Sequence, residues 1–327
     1  MDRHRLNCPP IDHFSEKPMP NPAVTIILFA HAPFAKFLPE SLESIVAQSY
    51  SSLEVIVLSD GSQEVAKVVA GYASRDGRVS IAPQGHLPFL QMANEIMKEA
   101  RGRYLGTWNC DDIYNQDHVK VLVVMLDGRQ ETGAAFDNVE YFPDTSAGDS
   151  VGPPSHLMIS KKRAQKMALS QVSLQEIFMD NLVCGPACLI RKSAFERVGG
   201  YDKDIMLNCD LHWSYRIGAY FPMRFVDYVG VRKRIHPLNN TAVNSHYEYG
   251  LTELEHIRDH YPDVYNQIGK NVFNKKLARK YFRLGSYYEK RGDVEKAREM
   301  YRQATLLRRL NLRYYWEYYR SGLARVK

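Results

Sequence analysis

Residues 24–30 (VTIILFA) and 53–58 (LEVIVL) are short, unbroken apolar runs, and the stretch joining them decides the fold. Between them Phe37, Ser41, Leu42, Ile45 and Val46 recur at three- and four-residue spacing, the period of one helix face. Strands without alternating polar positions are buried on both faces, so this stretch predicts a βαβ unit in a parallel sheet. The pattern continues outward. QEVAKVVAGYA predicts a second helix, 79–82 a short strand, the stripe Leu90, Ala93, Met97 and Ala100 a third helix, and RYLGTW another buried strand. The first 130 residues thus predict an α/β architecture with a mostly parallel sheet flanked by helices.

From 131 to 185 the element order is not legible, and DTSAGDSVGPPS (144–155) reads as a loop of turn residues. Beyond it ACLIR predicts a strand, DLHWSYRIGAYF a helix, and RFVDYVGVRKRI one or two strands. After about 248 only helical periodicity remains. The expected organisation is a leader at 1–22, an α/β domain at 23–248 whose halves meet near 130, and a helical region at 249–327. Composition agrees: 327 residues, 45% hydrophobic and 24% charged, describe a globular chain of about two domains. No run reaches the roughly 18 apolar residues of a membrane span. The proline-rich leader lacks the apolar core of a signal peptide. Five cysteines without framework spacing fit a reducing, cytoplasmic setting.

In open α/β sheets ligands bind beyond the carboxyl ends of the strands. Ser59-Asp60-Gly61-Ser62 follows the second strand and Asn109-Cys110-Asp111-Asp112 follows RYLGTW, which places two acidic turns at one sheet edge. No G-x-G-x-x-G and no G-x-x-x-x-G-K-[ST] accompanies them. A diphosphate held here needs a cation, and aspartates are the hard-oxygen ligands that Mg²⁺ or Mn²⁺ takes. The plainer reading makes Asp60 and Asp112 caps of turns and helices.

VTIILFAH, SLESIVAQSYSSLEVIVLSDGS and QMANEIMKEARGRYLGTWNCDD together resemble the start of a glycosyltransferase family 2 domain of the Rossmann-like GT-A fold. The resemblance covers about 100 residues in order. It extends more loosely to about 245 through CGPACLIRKSAFERVGGYD and NCDLHWSYRIG. It implies that Ala30, Asp60, Asn94, Asn109 and Asp111 line the nucleotide-sugar site, with Asp60 beside the base and Asn109 near the ribose. Asp111 is implied as the ligand of a divalent metal, Mn²⁺ or Mg²⁺, that bridges the donor diphosphate. His236 and Asn239, in RKRIHPLNN, are implied near that diphosphate, with His236 also at the metal. Asp210 is implied as the catalytic base, with Cys184, Gly185 and Trp213 on the acceptor side. Ser59, Asn109 and Asn208 stand where the family usually has acids, which removes charge and keeps hydrogen bonding.

The implied reaction is inverting transfer of a sugar from a nucleoside diphosphate, a UDP-sugar foremost, to a hydroxyl of a glycan, a lipid-linked acceptor or a protein. A positioned carboxylate contributes on the order of 10²–10⁴-fold as general base, and a divalent ion neutralises charge on the leaving phosphate. The rival reading is a decayed domain that serves as a scaffold through its tail. Nucleotidyl transfer ranks last, because FAHAPFAKF has no glycine.

The remaining motifs carry less. Cys184 and Cys188 lack the closer pairs and further ligands of a zinc site, and His256 and His260 read as surface residues. Residues 278–304 resemble one tetratricopeptide repeat, with Gly285 and Ala297 at close-packing positions. One repeat cannot bury its own face, so it needs flanking helices or the catalytic body. Residues 270–327 hold 17 basic and 5 acidic side chains, against 26 and 32 in the rest. This tail, ending in LLRRLNLRYYWEYYRSGLARVK, is expected to bury its aromatics and solvate its arginines. A peripheral contact with the inner face of a membrane and a homodimer surface stay open as alternatives. No nucleic-acid partner is expected.

Overall fold

The computed structural model describes residues 23–85, 87–144, 154–205, 207–239 and 246–323. The leader, most of the 144–155 loop and residues 240–245, where the domain boundary approaches, lie outside them. The described strands are β1 (Val24–Ala30), β2 (Leu53–Ser59), β3 (Val79–Ile81), β4 (Tyr104–Asn109), β5 (Ile113–Tyr114), β6 (Ala134–Pro143), β7 (His156–Leu157), β8 (Gln171–Val172), β9 (Cys188–Arg191) and β10 (Met223–Ile235). All join one sheet in the order β3-β2-β1-β4-β9-β6-β10-β5, with β7 on β6 and β8 on β10. The long ladders, β1 with β2 and β4 and β6 with β10, are parallel, and the short ones through β5, β7, β8 and β9 are antiparallel.

The predicted elements of the first half are present: helices Leu38–Val46, Gln63–Ala73 and Phe89–Glu99 are the crossovers. They cover opposite faces because residues along a strand point alternately to either side. Ile26 and Leu28 pack with Leu42 and Ile45 on one face. Ile27 packs with Ala93 and Met97 on the other. In-register pairing of Ala30 with Ser59 and of Phe29 with Asn109 brings the ends of β2, β1 and β4 to one edge.

The segment the sequence left unordered contains the ten-residue β6, whose inner positions Asp137 and Asn138 are polar yet buried. Asp137 Oδ2 lies 2.7 Å from His118 Nδ1, whose Nε2 lies 3.1 Å from the Pro186 carbonyl oxygen. Burial pushes Asp137 up to about 6, and the facing His118 opposes that rise. RFVDYVGVRKRI is a single strand, β10, with register shifts between Phe225 and Val231. Gly230 in that irregular part lies against the buried pair: a Cβ there would sit 1.9 Å from Asp137 Oδ2 and 2.1 Å from His118 Nδ1.

The tail is helical from His246, three residues before the expected boundary. Helices Lys270–Lys290 and Val294–Leu307 form the repeat-like pair, joined at Gly292 with φ +81°. A Cβ on Gly285 would come within 2.7 Å of the Tyr301 ring, which explains the small residue there. The pair uses both supports open to it. Phe282 stacks on Tyr314 of helix Leu312–Leu323 at 4.9 Å. Buried Lys276 donates to the Phe178 carbonyl, and at 2.7 Å to Asn181 Oδ1 and to the Tyr215 hydroxyl of the body. Only part of the final aromatic stretch is buried. Tyr314 is inside, whereas Trp316 and Tyr319 are exposed beside Leu310 and Leu312. Among the described residues no helix is long and apolar enough to cross a membrane.

Gly230→Ala forces a methyl into the His118–Asp137 contact, and overpacking of this kind costs about 1–3 kcal/mol or more. Thermal unfolding of that variant is expected several degrees below wild type, whereas Gly71→Ala, inside helix Gln63–Ala73 with open space at its Cβ, is expected to lose nothing.

Candidate active site at the carboxyl edge of the sheet

The two acidic turns flank the end of β1. Asp60 Oδ2 accepts from the Ala32 amide at 2.8 Å, and Oδ1 from Ser62 at 3.2 Å, so this exposed carboxylate is fixed by backbone on both sides. The Ala30 carbonyl accepts from the Asp60 amide at 3.3 Å, and the Cys110 amide donates to the Phe29 carbonyl at 3.1 Å. His31 follows β1 directly and packs at a tilt against Phe89 with ring centroids 4.4 Å apart. Burial lowers its pKa while the charges of Asp60 and Asp111 pull it back, which puts His31 within electrostatic reach of both acids.

Strand pairing assembles the second acidic turn. β5 follows Asp111-Asp112 immediately and pairs antiparallel with β10, Ile113 opposite Arg232. This register carries residues 233–236 back past 112–109. Lys233 Nζ lies 3.6 Å from Asp112 Oδ2. The Arg234 amide donates to Asp112 Oδ1 at 3.2 Å and its Nε to the Asp111 carbonyl at 3.2 Å. His236 Nε2 lies 3.0 Å from Asp111 Oδ2, and Asn239 Nδ2 donates to the same oxygen at 3.4 Å. Asp111, His236 and Asn239, 128 positions apart at most, therefore form one cluster. Asn109 adds its amide to Asp112 Oδ2 at 3.4 Å.

The electrostatics follow from burial. Desolvation raises Asp112 to about 6 against the pull of Lys233, and the Asp111 charge adds to the rise. Desolvation also acts on Asp111, but the His236 hydrogen bond and the Lys233 charge outweigh it, so that carboxyl is held below its usual range. Lys233 is held above its ordinary value because the Asp112 charge overcomes its own desolvation. The Asp111 carboxylate suits Mn²⁺ or Mg²⁺, which take one or two protein oxygens and fill the rest with phosphate and water oxygens, and the imidazole nitrogen beside it favours Mn²⁺ over the harder Mg²⁺.

Asp210 stands in the first turn of helix Cys209–Tyr220. Its Oδ2 accepts from the Gly185 amide at 3.1 Å, and a Cβ on Gly185 would lie 3.2 Å from the Asp210 Cβ. Cys184 couples the two walls, since Lys233, Asp210 and Asp112 all act on its thiol, which burial pushes up to about 12. Trp213 is buried, donates from Nε1 to the Gly199 carbonyl at 2.8 Å, and shares with Asp210, Gly185 and Thr107 the lining of a small cavity.

One expectation changes, and one residue gains a structural role. Asn94 sends both ends of its amide to the backbone of Tyr201, donating to the carbonyl at 2.8 Å and accepting from the amide at 2.7 Å. It therefore ties helix Phe89–Glu99 to the 199–201 turn, a positioning role that leaves one amide N–H and one lone pair unused. His256 is not a surface residue: it pairs with Asp202 at 2.9 Å, and only His260 is exposed. The sequence reading also passed over His31, Lys233 and Arg234. The one available signal was the apposition of the basic end of β10 with an acidic turn.

Comparison with known proteins settles the family. The family model "Glycosyl transferase family 2" matches residues 25–199. The chain belongs to glycosyl transferase family 2. Its domain is that of a nucleotide-sugar glycosyltransferase of the GT-A fold. An uncharacterised glycosyltransferase of Rickettsia prowazekii is 22% identical over 232 residues, 70% of each chain. An uncharacterised protein of Sinorhizobium fredii is 30% identical over 115 residues, covering 34% of this chain and 12% of that one. Among solved structures, residues 1–349 of S. aureus TarS bound to UDP-GlcNAc superpose with TM-score 0.62 at 13% identity, covering 91% of this chain and 92% of that one. A mannosyltransferase of Pyrobaculum calidifontis in complex with GDP-Man and Mn²⁺ gives TM-score 0.54 at 15% identity, over 92% of this chain and 84% of that one. At these identities the structures establish the fold.

Asn94→Ala leaves two backbone groups of Tyr201 without their partner, each loss costing about 1–3 kcal/mol. Its thermal midpoint is expected to fall by several degrees with no nucleotide present; an unchanged midpoint would remove Asn94 from this positioning role.

Proposed function

We propose that the chain transfers a sugar, with inversion, from a nucleoside diphosphate donor, a UDP-sugar foremost, to an acceptor hydroxyl. The observation that carries this reading is the Asp111–His236 contact at 3.0 Å, set between the Asp60 turn and the Asp210 wall. The UDP-GlcNAc and UDP bound by S. aureus TarS support the uridine donor. The Mn²⁺ of the Pyrobaculum mannosyltransferase supports the metal.

In this reading Asp60 and Asn109 hold the nucleoside, His31 packs at the mouth between the two acids, and Asp111 with His236 holds Mn²⁺ or Mg²⁺. That ion, when bound, neutralises negative charge on the departing diphosphate. Lys233 and Arg234 have another task. They compensate the buried Asp111-Asp112 turn and hold it rigid, so the ligand carboxylate is in place before the donor arrives. Asp210, oriented by the Gly185 amide, takes the proton of the acceptor hydroxyl as its oxygen attacks the anomeric carbon. The acceptor belongs on the side of Cys184, Gly185 and Trp213. The exposed Trp316 and Tyr319 on a basic tail support a peripheral membrane contact, which suits a lipid-linked acceptor.

The test is thermal unfolding against UDP, GDP, dTDP and CMP, each with and without Mn²⁺, for wild type and Asp111→Ala. A ligand at 100 times its dissociation constant adds about 2.7 kcal/mol, a shift of several degrees. Wild type is expected to shift with UDP only when Mn²⁺ is present, and the variant to shift little. No shift with any nucleotide would favour the scaffold reading. Asp210→Asn is expected to keep the thermal midpoint and the nucleotide shift while transfer falls on the order of 10²–10⁴-fold. Transfer at the wild-type rate would remove Asp210 from the role of base.

A further inference from the structure

The helix that presents Asp210 also carries His212, two residues on, and at 100° per residue the two side chains leave roughly opposite faces. His212 is 0% exposed, and neither of its ring nitrogens has a hydrogen-bond partner. A neutral imidazole offers one donor and one acceptor. Leaving both unmade in the interior forfeits the hydration of each with nothing in exchange. What faces His212 is a pair of ligand-type groups. Asp202, on the turn after β9 and its following helix, meets His256 of the tail helix His246–His260 at 2.9 Å. One ligand atom from each of Asp202, His212 and His256 lies within 4.8 Å of the other two.

We propose that Asp202, His212 and His256 bind a zinc-class divalent ion that staples the tail helix to the catalytic body. Two imidazoles and a carboxylate are a donor set zinc takes with a fourth position left to water. Neighbouring ligand atoms on a tetrahedral zinc, at bonds of about 2.0–2.2 Å, stand roughly 3.3 Å apart. The Asp202–His256 edge is already close to that, and the longest edge of the triangle closes with about 1.5 Å of side-chain movement.

The carboxylate is oriented from outside the triangle, as metal-bound carboxylates commonly are. Tyr261 donates to Asp202 Oδ2 at 2.5 Å and accepts from Arg216 at 3.0 Å, while Asp202 Oδ1 accepts from the Asp204 amide at 2.9 Å. The ion would also reach the donor half of the domain. Asp202 adjoins Tyr201, whose backbone is held by Asn94 and whose hydroxyl donates to Thr107 Oγ1 at 2.6 Å. The inference uses no residue of the donor site and stands whether or not Asp111 binds Mn²⁺.

The experiment uses the full chain carrying Asp111→Ala, so that the donor site contributes no metal, stripped with chelator and titrated with Co²⁺ and then Zn²⁺. One equivalent of Co²⁺ is expected to bind with the visible absorption of a four-coordinate ion and to be displaced by Zn²⁺. Zn²⁺ is expected to raise the thermal midpoint by several degrees and to slow proteolysis between body and tail. Adding His256→Ala, a partly buried position on the tail helix that tolerates truncation better than the fully buried His212, is expected to abolish the absorption and both effects. Asp202→Asn is expected to weaken Co²⁺ binding at least tenfold. No Co²⁺ bound at one equivalent, or binding unchanged by His256→Ala, would overturn the proposal. So would Co²⁺ held with the spectrum of an octahedral aquo ion.

Discussion

Asp111 and Asp112 are adjacent carboxylates buried at the end of β4, and the rest of the structure is arranged around making that tolerable. Two charges taken out of water cost several kcal/mol each unless opposite charge and hydrogen bonds meet them. The compensation comes from the end of β10. Lys233 faces Asp112, Arg234 bonds both residues of the turn, and His236 faces Asp111. Because these partners lie more than 120 positions downstream, the acidic turn is stable only when the second half of the sheet has formed. The site and the fold are thus one constraint: β5 must pair with β10 in a single register for the charges to meet.

The same logic extends outward through groups that hold other groups. Asn94 fixes the Tyr201 turn, and the Gly185 amide orients Asp210. Asn208, in the left-handed conformation at φ 57°, starts the Asp210 helix and donates to Glu253 of the tail at 3.1 Å. Glu253 is buried, and its pKa is raised by that burial, with Lys276 and Lys280 opposing the rise. The tail therefore contributes buried polar groups to the wall that carries Asp210. The helix that carries Asp210 is thus held in part by the tail.

Much of this was legible in the sequence, for a physical reason. β1, β2 and β4 are covered on both faces, so their burial is written as continuous apolar runs, and the turns after them fall at one edge by topology alone. Asp60 and Asp111 followed from that placement. β6 was illegible because Asp137 and Asn138 break its apolar pattern. Their partners, His118 and the backbone of Ile159, are supplied by other elements. Lys233 and Arg234 read as solvated charge, and only the pairing of β5 with β10 shows them to be buried counter-ions. His256 read as surface because its partner, Asp202, lies 54 positions upstream. In the last helix one amphipathic pattern served two ends: Tyr314 packs on Phe282, while Trp316 stays in solvent.

The central claim is that the acidic turn of β4, rigidified by β10, is where the donor diphosphate and its metal bind. The most direct measurement is a crystal structure of the chain with UDP and Mn²⁺, with diffraction collected for the anomalous signal of manganese. The account predicts an anomalous peak within bonding distance of Asp111, close to His236, with the diphosphate on its far side and the uracil beside Asp60. Manganese bound away from Asp111, or uridine diphosphate seated anywhere other than the edge formed by β2, β1 and β4, would contradict it.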